Sequence, residues 1–242
     1  MTAPARGTLF LVPVSLGEAP WHTFLPAAAQ HCAAGLKHFV VENARAARAH
    51  LKQIDFPGVL RDTDIRELPP RADDSALDAL LAPAMQGGDV GLMSDAGCPA
   101  VADPGARLVA RAHQLGIRVV PLVGPSSILL GLMGSGLNGQ SFAFHGYLPV
   151  AENARDLRLR ELEEESRRIG RTQIFIETPY RNDRMFEALL KVCNGDTRLC
   201  IACDLATESQ LLLTRSIAAW RKDEPPYIAK RPTIFLLLAG AH

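Results

Sequence analysis

The stretch GLMSDAGCPAVADPG, residues 91–105, holds the residue types that most directly suggest chemistry in this chain. An apolar run ends at Asp95, passes through Ala96, Gly97, Cys98, Ala100 and Ala102, and closes on Asp103, Pro104 and Gly105. Side chains this small leave backbone N–H and C=O groups open to a flat or extended ligand. DVGLMSD reads as a buried strand with Asp95 at its C-terminal end, the place where open α/β sheets bind ligands. Neither acid suits a phosphate, whereas both tolerate a cation or a ribose hydroxyl. Asp103 can also cap the helix that begins at Pro104, a position where a missing N–H is harmless.

Other chemistries find less support. Gly134, Gly136 and Gly139 form G-x-G-x-x-G, but a helix precedes them and a strand follows, the reverse of a dinucleotide-binding turn. They read instead as the end of a helix and a turn. The sequence contains no G-x-x-x-x-G-K-[ST], H-E-x-x-H or G-x-S-x-G. Cys200 and Cys203 form C-x-x-C, yet LCIACDL reads as a strand that would send the two sulfurs to opposite faces. With five cysteines in all, buried reduced thiols are expected and no metal site. The histidines are dispersed, and His145 reads as a packed residue.

These residues must be carried by strands alternating with helices. TLFLVPV, HFVVE, DVGLMSD and IRVVPLV read as strands of a first α/β domain. The intervening helices are a segment capped by Thr23 and stopped by Gly35, NARAARAHLKQI, DDSALDALLAPAMQGG starting at Asp73 or Asp74, and PGARLVARAHQLG. A second domain follows, with helix GPSSILLGLMGSG, strands SFAFHGYL, RTQIFIE and RLCIACDL, helix PYRNDRMFEALLKVC and a buried terminal strand RPTIFLLLAG. The fold class is therefore α/β with mostly parallel or mixed sheets, in domains 1–122 and 123–242. Between Leu148 and Gln173 acids and arginines are equal in number. Asp156–Arg160, Glu163–Arg167 and Glu164–Arg168 stand at i,i+4, as on a solvated, salt-bridged helix. RNA contact is the alternative for this helix.

The 26 Lys and Arg balance 26 Asp and Glu, so no global basic field draws the protein to nucleic acid, although a local patch remains possible. The N-terminal stretch lacks the features of a secretory leader, and no window approaches a membrane span. A cytoplasmic protein is expected, with no membrane partner.

SDAGCPAVADPGARLV, GIRVVPLVGPSS, SGL, FAFHGYLP and TQIFIETPYR, in this order along nearly the whole chain, resemble the tetrapyrrole methylase superfamily of S-adenosylmethionine-dependent methyltransferases. Within it they are most similar to the ribosomal RNA small-subunit methyltransferase I type. The resemblance implies two α/β domains with S-adenosylmethionine in the cleft between them, usually in a homodimer. It implies donor contacts at Leu16, at Ala96, Gly97, Cys98 and Val101, at Ser126 and Ser127, and at Glu177, with looser motifs placing Leu205, Pro232 and Thr233 beside them. The chain departs from the pattern where it reads VSLGE rather than P-I-G-N and Glu42-Asn43-Ala44-Arg45 rather than E-D-T-R. It departs again at Ala151, where the family has lysine, and at Tyr180, where it has histidine. The donor side is kept and the acceptor side altered, as in a divergent paralogue.

Methyl transfer to a ribose hydroxyl of ribosomal RNA is the first expectation. It calls for alignment and for an acid that acts as base or orients the hydroxyl, with Asp95, Glu42 and Glu18 as catalytic candidates by loop position. Arg45 and Arg181 could hold an anionic acceptor. The alternatives are methylation of a tetrapyrrole-like small molecule and a donor-binding protein without catalysis.

Overall fold

The computed structural model describes residues 6–240. Residues 1–5 of the N-terminal stretch discussed above, and 241–242, lie outside the described residues. The chain divides into two compact units, Met1–Ser126 and Ser127–His242, each with its own five-stranded sheet.

In the first unit, strands β1 (Thr8–Leu11), β2 (His38–Val41), β3 (Asp64–Glu67), β4 (Val90–Met93) and β5 (Arg118–Pro121) pair in the order β3-β2-β4-β1-β5, all in parallel. Parallel neighbours need crossovers, supplied by α1 (Ala27–Ala34), α2 (Ala44–Gln53), α3 (Asp74–Met85) and α4 (Gly105–Gln114). Alternation along the central strands feeds two cores. Phe39, Val41 and Met93 pack with Ala33 and Leu51 of α1 and α2, while Val40, Val90 and Leu92 pack with Leu81 and Leu108 of α3 and α4. The chain thus runs outward from β1 to β3 along one face and returns to β4 and β5 along the other. The C-terminal ends of β1 and β4 come to lie side by side.

In this unit two details differ from the sequence expectation. The first helix does not start at Thr23; Trp21–Thr23 is a 3-10 turn, Thr23 bonds back to Pro20 O, and α1 begins only after Pro26. Proline has no N–H to give an earlier turn, so Pro26 sets the helix start. β3 lies in the stretch before Pro70, to which the sequence assigned no strand; it is a half-exposed edge strand that needs only one apolar face. Asp73 caps α3 by accepting Ala76 N–H at 2.8 Å.

In the second unit, β6 (Phe142–Tyr147), β7 (Thr172–Ile176), β8 (Arg198–Cys203), β9 (Leu211–Ser216) and β10 (Thr233–Leu238) pair in the order β6-β7-β10-β8-β9. Only β6 and β7 run parallel; the other neighbours are antiparallel. Helices α6 (Glu152–Ile169), α7 (Asn182–Val192) and α8 (Ile217–Trp220) bury Leu162, Leu189 and Trp220 against Phe175, Ile201 and Phe235. Helix α5 (Ser127–Ser135) covers the opposite face through Gly131, where a Cβ would lie 3.1 Å from Ile234 Cγ2. Gly136 ends α5 with φ +66°, the turning role read for the glycine triplet. Cys203 faces the core of α6 and α7 and Cys200 the other side; burial raises the pKa of both thiols.

The expected ladder of i,i+4 pairs on α6 is not formed. Asp156 pairs with Arg155 at 2.8 Å and with Lys191 of α7. Arg167 reaches Asp196, and Glu163 accepts from Asn194 N, Asn194 Nδ2 and Thr197 Oγ1. Asp156 and Glu163 are buried, so burial favours fixed tertiary partners over a flexible neighbour one turn away. Glu163→Ala should lower stability by about 2–3 kcal/mol in urea denaturation, because it strands buried donors of a charged acceptor. Arg168→Ala, on the exposed side, should stay within about 0.5 kcal/mol of the parent.

Candidate functional site

The backbone of the loop after β4 accounts for its glycine. Gly97, Ala100 and Ala102 have φ of +72°, +67° and +62°, in the left-handed region that glycine enters freely and any residue with a Cβ, alanine included, enters at a cost. Gly97 is locked in place by a reciprocal bridge to Val14, with N···O distances of 3.0 and 2.8 Å. Asp103 holds the other end, its carboxylate accepting Ala100 N–H at 2.8 Å and Gly105 N–H at 2.7 Å. The capping role read for Asp103 is thus joined to a second one, clasping the loop. Burial raises its pKa, partly offset by those two N–H groups.

Three of the implied donor segments converge here. A Cβ at Gly97 would lie 3.4 Å from Leu16 Cδ2 and 3.7 Å from Pro125 O, and Cys98 Sγ donates to Pro125 O at 3.3 Å. The loops after β1, β4 and β5, adjacent in the sheet, therefore meet at Leu16, Gly97–Cys98 and Pro125–Ser126. Ala96 and Val101 present exposed side chains. Burial raises the Cys98 pKa, so this residue lines the loop as a thiol. Sequence reasoning missed Gly124, where a Cβ would overlap Pro13 at 2.2 Å; its signal was a glycine directly after the β5 run.

The three candidate acids separate. Glu18 is exposed and forms no ion pair among the described residues. Asp95 is exposed too, and its backbone N–H donates to Glu42 Oε2 at 2.9 Å. Glu42, at the end of β2 beside β4, is half-buried without a cationic partner among the described residues. Burial raises its pKa, the Asp95 N–H opposes the rise, and Asp103 and Asp95 reinforce it. A pocket of about 390 Å³ opens beside it, walled by Glu67, Leu68, Pro69, Pro70 and Pro104. Asn43, where the family pattern has aspartate, caps α2 by accepting Arg45 and Ala46 N–H. Asn and Asp cap equally well, so this departure preserves the local structure.

The remaining donor segments gather in the second unit. Asp204 N–H donates to Pro232 O at 2.9 Å, Thr233 pairs with Cys203, and Ile234 pairs with Ile176, next to Glu177. Leu205 and Thr233 are buried, Pro232 is exposed, and Ser127 is the first residue of α5. Asp204 and Arg231, overlooked in the sequence, join the two loops through a 2.8 Å ion pair; an acid directly after a strand was their signal. Glu177 is buried, and its Oε1 accepts from Thr178 N–H and Arg181. Arg181 is therefore committed to Glu177 rather than free for an anionic acceptor. His145 is packed as expected, its Nε2 2.6 Å from Gln173 Oε1. Among the described residues no group of His, Cys, Asp and Glu is arranged to hold a metal.

Removing the clasp tests the loop directly. Asp103→Ala should cost about 1–2 kcal/mol in thermal or chemical denaturation, from the loss of two backbone acceptors.

Residues 29–219 match the family described as Tetrapyrrole (Corrin/Porphyrin) Methylases. Three relatives carry the name ribosomal RNA small subunit methyltransferase I. That of Vibrio cholerae is 38% identical over 121 residues, 50% of this chain and 41% of its own length. That of Mesorhizobium japonicum is 40% identical over 137 residues, 56% and 45% respectively. That of Halalkalibacterium halodurans is 30% identical over 196 residues, 81% and 64%. The first two matches thus span about half the length of those relatives. Among solved structures, the methyltransferase CobJ shares the fold with TM-score 0.64 at 16% identity, covering 97% of this chain and 95% of the other.

Proposed function

Because the chain belongs to the tetrapyrrole (corrin/porphyrin) methylase family, we propose that it is an S-adenosylmethionine-dependent methyltransferase whose acceptor is RNA. The observation that carries the reading is the clasped, left-handed loop 95–103 at the end of β4. It fits this cofactor: the space beside the Gly97 Cα is bounded by Leu16 and Pro125 O, so a side chain there would fill it. On the family resemblance we assign donor contacts to Leu16, Ala96, Gly97, Cys98, Val101 and Ser126 in the first unit, and separately to Ser127, Glu177, Leu205, Pro232 and Thr233 in the second. When bound, S-adenosylmethionine supplies an electrophilic methyl group on sulfur.

What remains for the protein is alignment and the acceptor proton. Glu42 is the acid suited to the second task. Its environment keeps a proton within reach, Oε2 is fixed by Asp95 N–H, and its pocket gives an acceptor hydroxyl access. Asp95 then acts through its backbone, by positioning Glu42. The names of the relatives support ribosomal RNA as acceptor. Tetrapyrrole carboxylates have less support. The second pocket, beside Glu177, contains Arg155, Arg181, Arg184 and Lys191; three of the four are already paired, with Asp156, Glu177 and Glu152, which leaves Arg184 alone for an anionic ligand. We further read the protein as a cytoplasmic homodimer. Among the described residues no helix is long and apolar enough to cross a membrane, and the dimer follows the family resemblance.

Calorimetry with S-adenosylmethionine should give saturable binding that Gly97→Leu abolishes while the fold is retained; unchanged affinity would reject the loop assignment. Labelled donor should pass its methyl group to small-subunit ribosomal RNA and not to a tetrapyrrole pool. Glu42→Gln should lower turnover about 10²–10⁴-fold. The parent's rate should fall as pH drops through a pKa above the ordinary glutamate value of 4.5. The folded chain holds the Glu42 proton more tightly than the unfolded chain does. Ionisation therefore costs stability as pH rises through that pKa, and Glu42→Gln should be no less stable than the parent at neutral pH.

A further inference from the structure

The chain has three tyrosines, and all are exposed: Tyr147 at 58%, Tyr180 at 82% and Tyr227 at 76%. They come from separate parts of the sequence yet lie at one end of the second unit's sheet. Tyr147 closes β6 opposite Ile176, the last residue of β7. Tyr180 sits in the 3-10 turn Pro179–Arg181 that follows β7. Tyr227 precedes β10, whose Ile234 pairs with Ile176, so its loop returns to the same edge.

The segments that carry Tyr180 and Tyr227 are fastened to each other. Lys230 N–H donates to Pro179 O at 2.9 Å. Asn182, fully buried, donates through Nδ2 to Ile228 O at 3.1 Å and Arg231 O at 2.7 Å, fastening the Tyr227 loop to the Tyr180 turn. The Arg231 guanidinium lies 5.6 Å from the Tyr227 ring centroid while its Nε binds Asp204 at 2.8 Å, which steadies that ring. Glu177 and Asp204 are neutralised by Arg181 and Arg231. Arg184 and Lys230 are exposed nearby and form no ion pair among the described residues.

Exposed aromatic rings held in place beside unpaired cations are the parts from which proteins build platforms for unstacked bases. We propose that Tyr147, Tyr180 and Tyr227 form such a platform for single-stranded RNA, with Arg184 and Lys230 contacting phosphates. The proposal rests on the RNA-methyltransferase reading and sharpens it: the acceptor is an unpaired segment whose bases are splayed onto this edge. With a balanced net charge, the phosphate contacts fall to the local cations beside the rings.

The test is fluorescence anisotropy with the full chain, an unstructured RNA oligonucleotide and a duplex of the same sequence, without methyl donor. Tyr180→Ala and Tyr227→Ala should each weaken single-strand binding about tenfold and the double variant about a hundredfold, whereas Tyr→Trp should retain it. Circular dichroism of each variant should match the parent, since the replaced rings are exposed. Affinities of the alanine variants within twofold of the parent, equal affinity for the duplex, or no binding of either RNA by the parent would overturn the proposal. Absence of donor binding or methyl transfer would instead strike the methyltransferase reading and leave this measurement interpretable.

Discussion

The reciprocal bridge between Val14 and Gly97 is the constraint on which the first unit's functional edge depends. It draws the loop after β4 against the loop after β1, and the chain then has to turn through three left-handed residues before α4 can begin. Such a path is open to glycine and costs every residue that carries a Cβ, branched ones most. Asp103 completes it by taking up the Ala100 and Gly105 N–H groups. The left-handed turn thus accounts for Gly97, while Ala100 and Ala102 adopt it at the cost of their Cβ atoms.

The neighbouring strand supplies the acid proposed as base. β2 lies beside β4, so the residue ending β2 faces the start of the loop, and Asp95 N–H fixes the Glu42 carboxylate there. Half-burial without a cation raises the pKa of that acid, whereas Glu18 and Asp95 stay exposed. The second unit follows another plan. Its mixed sheet brings the ends of β6, β7 and β8 and the start of β10 to one edge, and polar fastenings across the loops hold that edge: Glu177–Arg181, Asp204–Arg231 and Asn182. One unit shapes its edge by backbone conformation and the other by side-chain pairing.

Charge shows where local reading of the sequence stops working. Along α6 the spacing of acids and arginines matches a surface helix stabilised by its own pairs. In the folded chain Asp156 and Glu163 point inward, and their partners Lys191, Asn194 and Thr197 lie some thirty residues away. Arg181 is the opposite case: it reads as a free cation and is bound to Glu177, its own i,i+4 neighbour. Ion pairing depends on which partners burial brings close, and a linear pattern does not record burial.

The sequence by itself determined the alternation of strands and helices, the bare loop at the end of a buried strand, the burial of the C-x-x-C thiols and the family. Each is written in local periodicity, or in motifs whose order survives without coordinates. Tertiary structure decided the rest. It made β3 a strand through an edge position that needs little hydrophobicity, and it moved the start of α1 to Pro26. It distinguished Glu42 from Asp95 and Glu18, and it collected three distant tyrosines on one edge. Those outcomes depend on sheet order and on the partners that packing leaves within a few ångströms, which only the folded chain specifies.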